Sequence, residues 1–192
     1  MVFYRVKALE KRVLILTGRP GTGKTTVVEK TVNALKDQGI SVGGMISHEV
    51  REDGIRVGFK ILDVASGKSG WLARANLKTG PQVGNYRVNL SDLDSVGAQA
   101  ICDALDNSDV VAIDEIGPME LFSARFKAAT AKTLDSKKLV ITVVHMKAQD
   151  RMIQQAKGRI DTEIFVVTEE NREALPEALV AKAVEFLRHE PS

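Results

Sequence analysis

"GRPGTGKT", residues 18–25, is the stretch on which the reading of the chain turns. It fits G-x-x-x-x-G-K-[ST] without a substitution. Gly21 and Gly23 let the backbone turn successive N–H groups toward phosphate oxygens, and a helix that follows adds the positive end of its dipole. Gly18, Arg19, Pro20, Gly21, Thr22, Gly23, Lys24, Thr25 and Thr26 are therefore the candidate nucleotide-binding loop. Lys24 would reach the β- and γ-phosphates, and the Thr25 hydroxyl would hold Mg²⁺. The dinucleotide fingerprint G-x-G-x-x-G is absent, because the spacing here is G-x-x-G-x-G.

The motif carries this meaning only between a strand and a helix. "RVLILTG" (12–18) is a short apolar run ended by glycine, as a buried parallel strand requires. From Lys24 to Gln38 there is no Gly or Pro, apolar residues recur at helical spacing, and Gly39 is a natural stop. "ISVGGMIS" (40–47) predicts a second strand. The residues after it predict a hairpin turning at Asp53-Gly54, and 66–86 is read as irregular, partly β and close to the ligand. Helices are expected over 91–105, 118–134, 148–157 and 172–188. Strands are expected over 110–114, 138–144 and 162–167. Apolar strands separated by helices imply an α/β fold with a mostly parallel sheet and helices on both faces. The expected organisation is one domain over 1–192 with a β-rich insertion at about 47–90.

Composition narrows the function classes. Hydrophobic residues make up 44% and charged residues 27% of 192, which fits an ordinary globular chain and excludes fibrous or disordered ones. A net charge of +2, with Lys and Arg spread along the chain, provides no basic stripe, so nucleic acid is not indicated. The single cysteine, Cys102, is read as a small buried helix residue. No targeting segment or membrane-length run is seen, so a cytoplasmic protein is expected. His48 and His189 form no zinc spacing, and no metal beyond Mg²⁺ is assigned.

The strand "VVAID" (110–114) ends in acid, and "IDEIGPMEL" (113–121) holds three carboxylates. Asp114 at the strand tip is placed for the Mg²⁺ water shell. Glu115, one residue further out, is placed to orient or deprotonate a water for in-line attack. For Glu120, Gly117 would serve as N-cap and Pro118 as N1, which puts the acid at N3 of a helix; a role beside Glu115 is the alternative. Arg56, Arg74 and Arg87, in the β insertion, are candidates for the arginine that phosphoryl transfer commonly needs.

"GRPGTGKTT", "EVREDGIRVGF", "VGNYRV", "IDEIGPMELFS" and "VTEENR", in that order, resemble the thermophile-type nucleoside-triphosphatase family over nearly the whole chain. The resemblance implies a RecA-like P-loop fold. It also implies Mg²⁺-dependent hydrolysis of nucleoside triphosphates to diphosphate and phosphate, with broad tolerance of the base. Lys24, Thr25, Asp114 and Glu115 would hold the roles argued above. His145 follows the fourth core strand, where related enzymes often sense the γ-phosphate, although a plain strand-end histidine explains it equally. Asn171 and Arg172 fall where many P-loop proteins contact the base, with helix capping as the alternative. The partner expected is the nucleoside triphosphate, bound by a monomer. Two other classes use the same loop: a nucleotide or nucleoside kinase, and a nucleotide-dependent regulatory or RNA-associated switch. A kinase of this type commonly carries an arginine-rich lid, which no segment here supplies.

Overall fold

The computed structural model describes residues 11–146 and 149–189. Residues 1–10, read above as part of a start without a targeting segment, and Ala148, the expected first residue of the helix over 148–157, lie outside them.

Among the described residues nine strands form one sheet in the order β5-β6-β4-β3-β2-β7-β8-β1-β9. Five of them, β2 (Val42–Glu52), β7 (Val110–Ile116), β8 (Leu139–Val144), β1 (Val13–Thr17) and β9 (Thr162–Val166), run parallel. Their side chains alternate between two apolar layers. Val13, Ile15, Val111, Ile113 and Val140 face Ile101, Phe126 and Ile153 of α3 (Gln99–Asn107), α4 (Ala124–Asp135) and α5 (Arg151–Gly158). Leu14, Leu16, Val110, Ile141 and Val143 face Val28, Leu35, Leu179 and Phe186 of α1 (Lys24–Asp37) and α6 (Leu175–His189). Burial on both faces is why these strands read as continuous apolar runs.

The remaining strands, β3 (Ile55–Asp63), β4 (Ser69–Arg74), β5 (Gln82–Val83) and β6 (Tyr86–Val88), extend the sheet antiparallel beyond β2. The β2–β3 hairpin turns at Asp53 (φ 50°) and Gly54 (φ 78°), as the Asp-Gly pair predicts. The stretch 66–86 is more regular than its composition suggests, because cross-strand bonds to β3 impose order that periodicity did not signal.

Two helices differ most from expectation, while α5 and α6 each start three residues later than expected, at Arg151 and Leu175. The stretch expected over 91–105 begins as α2 (Leu90–Asp92), widens into a π-helical turn over Leu93–Ala98 and continues as α3. The helix expected from Pro118 starts later. Glu120–Phe122 form a 3₁₀ turn, and α4 starts at Ala124, capped by Ser123, whose hydroxyl accepts from Phe126 N at 2.8 Å. A hydroxyl cap satisfies a free N–H that Gly117 could not. The N-cap assignment to Gly117, and with it N3 for Glu120, is thus corrected.

Candidate active site

All five parallel strands present their carboxyl ends to one side, the usual ligand side of an open α/β sheet. There β1 leads into the glycine loop, β7, which runs two residues past the expected end at 114, carries Asp114 and Glu115 near its end, and β8 leads into His145. Gly18 must be glycine, since a Cβ would lie 2.6 Å from the Val167 carbonyl oxygen. Gly23 (φ 93°) is the N-cap of α1 and offers no side-chain oxygen, so the first-turn N–H groups have no competing cap. Lys24 Nζ donates to the carbonyls of Arg19 (2.9 Å) and Gly18 (3.3 Å), and Thr22 Oγ1 donates to Arg19 O (2.9 Å). Thr26 is exposed on the first turn of α1.

Asp114 is only 2% exposed and accepts a hydrogen bond from the Thr25 hydroxyl. Burial pushes its carboxyl up to about 7; the Thr25 bond works against this, and the neighbouring Glu115 charge adds to it. Its Oδ2 has no hydrogen-bond partner although buried. An orphaned carboxylate oxygen beside a threonine hydroxyl fits a divalent cation, which would supply the missing partner. Among the described residues no cluster of three or more His, Cys, Asp and Glu offers another metal site.

Glu115 is half-buried, and burial raises its carboxyl while His145 and Lys24 pull it down. His145 lines the same cavity, and its Nδ1 is buried without a partner. Glu120, 2% exposed, sits in the 3₁₀ turn and faces Glu115 across Gly117. Burial and the Glu115 charge push its carboxyl up to about 8, against the N–H groups of Glu120 and Gly117. Glu120 is therefore a buried partner of Glu115 and not a solvated first-turn acid.

These groups border a cavity of about 500 Å³. Lys24, Thr25, Asp114, Glu115 and His145 line it. So do residues of β2 and the β extension: Glu49, Arg56, Phe59, Leu72 and Val83. That second group was not among the candidates apart from Arg56. Strand alternation outward from Asp53-Gly54 was the one signal for it, and the observed register sets Glu49 opposite Phe59. A larger cleft of about 920 Å³, lined by Asp106, Lys132, Lys137 and Phe186, opens at the amino ends of the strands and holds none of the candidate residues.

Of the three arginines only Arg56 reaches the cavity. Arg74 stacks on Trp71, 4.1 Å from the ring centroid, and Arg87 donates to Gly80 O (3.0 Å). Arg172 lies against the loop: its Cδ would be 3.3 Å from a Cβ at Gly23. The Asn171 amide is engaged by its own loop, accepting from Thr168 N (2.8 Å) and donating to Val166 O (2.9 Å). Cys102 is a free, half-buried thiol packed against the core.

A five-stranded parallel core with a phosphate loop after β1 and an acidic tip on β7 defines a P-loop nucleotide-binding protein. Sequence comparison narrows the class: the NTPase_1 family of NTPases matches residues 13–180, and the chain belongs to that family. The nucleoside-triphosphatase THEP1 of Thermofilum pendens is 46% identical over 166 residues, covering 86% of this chain and 91% of its own. That of Methanosarcina barkeri is 43% identical over 164 residues, covering 85% and 92%. Among solved structures, THEP1 from Aquifex aeolicus superposes with a TM-score of 0.76 at 25% identity, covering 88% of this chain and 97% of its own. A human cancer-related nucleoside triphosphatase gives 0.74 at 34% identity, covering 88% and 96%.

Proposed function

We propose that this nucleoside-triphosphatase uses Mg²⁺ to hydrolyse ATP, GTP and other nucleoside triphosphates to the diphosphate and phosphate, with little preference for the base. The observation that carries the reading is the unpartnered, buried Asp114 Oδ2 beside Thr25, with Glu115 and Lys24 lining the same cavity.

The loop N–H groups between Gly18 and Thr26 and Lys24 Nζ would hold the phosphates, and Thr25 and Asp114 would hold Mg²⁺, which would supply positive charge against that of the phosphates. Glu115 orients a water in line with the γ-phosphorus and takes its proton as the P–O bond to the diphosphate breaks. The reading of low base preference is supported by the Asn171 amide, which is bonded within its own loop, and by Arg172 beside the phosphate loop, whose guanidinium plane would stack on any base. We further read the chain as a cytoplasmic monomer of one domain. Its sequence shows no basic stripe, and among the described residues no helix is long and apolar enough to cross a membrane.

The test is phosphate release from Mg·ATP, Mg·GTP, Mg·CTP and Mg·UTP, repeated with nucleosides and nucleoside monophosphates. Comparable release from all four without an acceptor is expected. Strong stimulation by an acceptor that itself becomes phosphorylated would replace the hydrolase with a kinase.

A further inference from the structure

The segment "EVREDGIRVGF", Glu49 to Phe59, has no role in hydrolysis as described so far, yet its side chains are arranged around one residue. Arg56 on β3 pairs with Glu49 Oε2, while Arg51 takes the other oxygen, Oε1, of the same carboxylate. The Arg56 guanidinium lies over the Phe59 ring, 5.4 Å from its centroid. Phe59 is braced edge-on by Tyr86 (centroids 5.3 Å apart, 75°), and Tyr86 Oη donates to the Arg56 carbonyl at 3.4 Å. At Gly58 any side chain would overlap the Ala73 carbonyl, so glycine there lets β3 lie against β4 and brings this group to the cavity. Arg56 and Glu49 border that cavity together with Lys24, Thr25, Asp114 and Glu115.

We infer that Arg56 is a catalytic arginine supplied in cis, leaving Glu49 to contact the γ-phosphoryl group while Arg51 keeps the Glu49 carboxylate paired. The inference rests on the hydrolytic reading above. Phosphoryl transfer spreads negative charge over the γ-oxygens, and a planar guanidinium meets two of them at once. Release from Glu49 is cheap, since the Arg56 side chain is 41% exposed and such pairs are weak. Glu49 is not stranded by it, because its second oxygen stays bonded to Arg51. The aromatic pair holds the guanidinium stem at the cavity rim in either position.

The experiment compares Arg56→Ala, Arg56→Lys and, as a control, Arg87→Ala with the wild type in three measurements. These are kcat with Mg·ATP, affinity for ATP, and retention of ADP with Mg²⁺ and aluminium fluoride, which mimics the transferring phosphoryl group. Arg56→Ala should lower kcat by about 10³-fold, leave ATP affinity within threefold, roughly, and abolish the fluoride-dependent retention of ADP. Arg56→Lys, which keeps charge and stem, should recover little of the turnover, because a point charge does not replace the fork. Arg87→Ala should match the wild type. A wild type that hydrolyses Mg·ATP while Arg56→Ala keeps its kcat and its fluoride response overturns the role of Arg56 alone. A wild type that does not hydrolyse Mg·ATP overturns the hydrolytic reading, and the arginine falls with it.

Discussion

Glu115 and Glu120 bring their carboxylates together over Gly117: a methyl group on the Gly117 Cα would lie 3.0 Å from Glu120 Oε2 and closer still to Glu115 Oε1. Two like-charged groups at such a distance cannot both ionise cheaply out of water. The more buried one, Glu120, holds its proton to about pH 8, whereas at Glu115 the rise caused by burial is opposed by His145 and Lys24, which favour its charged form.

This division of labour predicts the outcome of Glu115→Gln. The variant should bind nucleoside triphosphate as the wild type does, and its turnover should fall by roughly 10²- to 10⁴-fold, the usual contribution of a positioned base. Nucleotide titration and single-turnover phosphate release measure the two separately. An unchanged turnover would remove Glu115 as base and promote Glu120.

Glu120 should also leave a mark on stability. Its carboxyl moves from the ordinary 4.5 to about 8 on folding. Below the lower value both states are protonated and the group is silent. Between the two values the unfolded chain ionises while the folded chain keeps its proton, so stability falls as pH rises through the window. Denaturant unfolding at pH 5 and pH 8 should show the wild type losing roughly 3 kcal/mol more than Glu120→Gln over that interval. Equal losses in the two proteins would contradict a protonated Glu120.

Asp114→Asn addresses the cation. Chelation with EDTA should stop turnover in the wild type, and Mg²⁺ should restore it. In the variant the Mg²⁺ concentration for half-maximal nucleotide binding should rise by about 10- to 100-fold, as for other residues that anchor a metal's ligand shell. A fluorescent-nucleotide titration against Mg²⁺ reads the shift directly; an unmoved midpoint would take Asp114 out of the cation site.

Away from the site, Arg12 at the start of β1 meets Asp161 at 2.8 Å, just before β9, and also donates to Lys138 O at 3.2 Å and to Leu134 O. Both charged side chains are largely buried, 11% and 13% exposed. Asp161→Ala leaves a buried guanidinium without its carboxylate and should cost about 2–3 kcal/mol in urea unfolding, somewhat under the range for a fully buried pair. A loss below about 0.5 kcal/mol would mean that Arg12's carbonyl partners suffice.

Much of the site was legible because its parts are local. The phosphate loop needs its glycines and lysine at fixed offsets between a strand and a helix, and Asp114 and Glu115 end an apolar run, so contiguous residues carry that information. The start of α4 was not, because Gly-Pro at 117–118 and Ser123 are both plausible starts locally, and only the buried packing of Phe126 selects the serine. The same holds for the three arginines, which share one insertion but end on different partners: Arg56 at the cavity, Arg74 on Trp71 and Arg87 at the Gly80 carbonyl.

By itself the sequence determined the order along the chain of the five parallel strands and the main helices, the position of the phosphate loop and the identity of the acids that could serve it. Short-range sterics and hydrophobic period are enough for that. Only the tertiary structure decided that β8 separates β1 from β7, that Glu120 is buried against Glu115, and that Arg56 rather than Arg74 or Arg87 borders the cavity. Those relationships join residues tens of positions apart. They depend on which strand edges pair and which side chains lose water when the layers close, and no local pattern of residues encodes that.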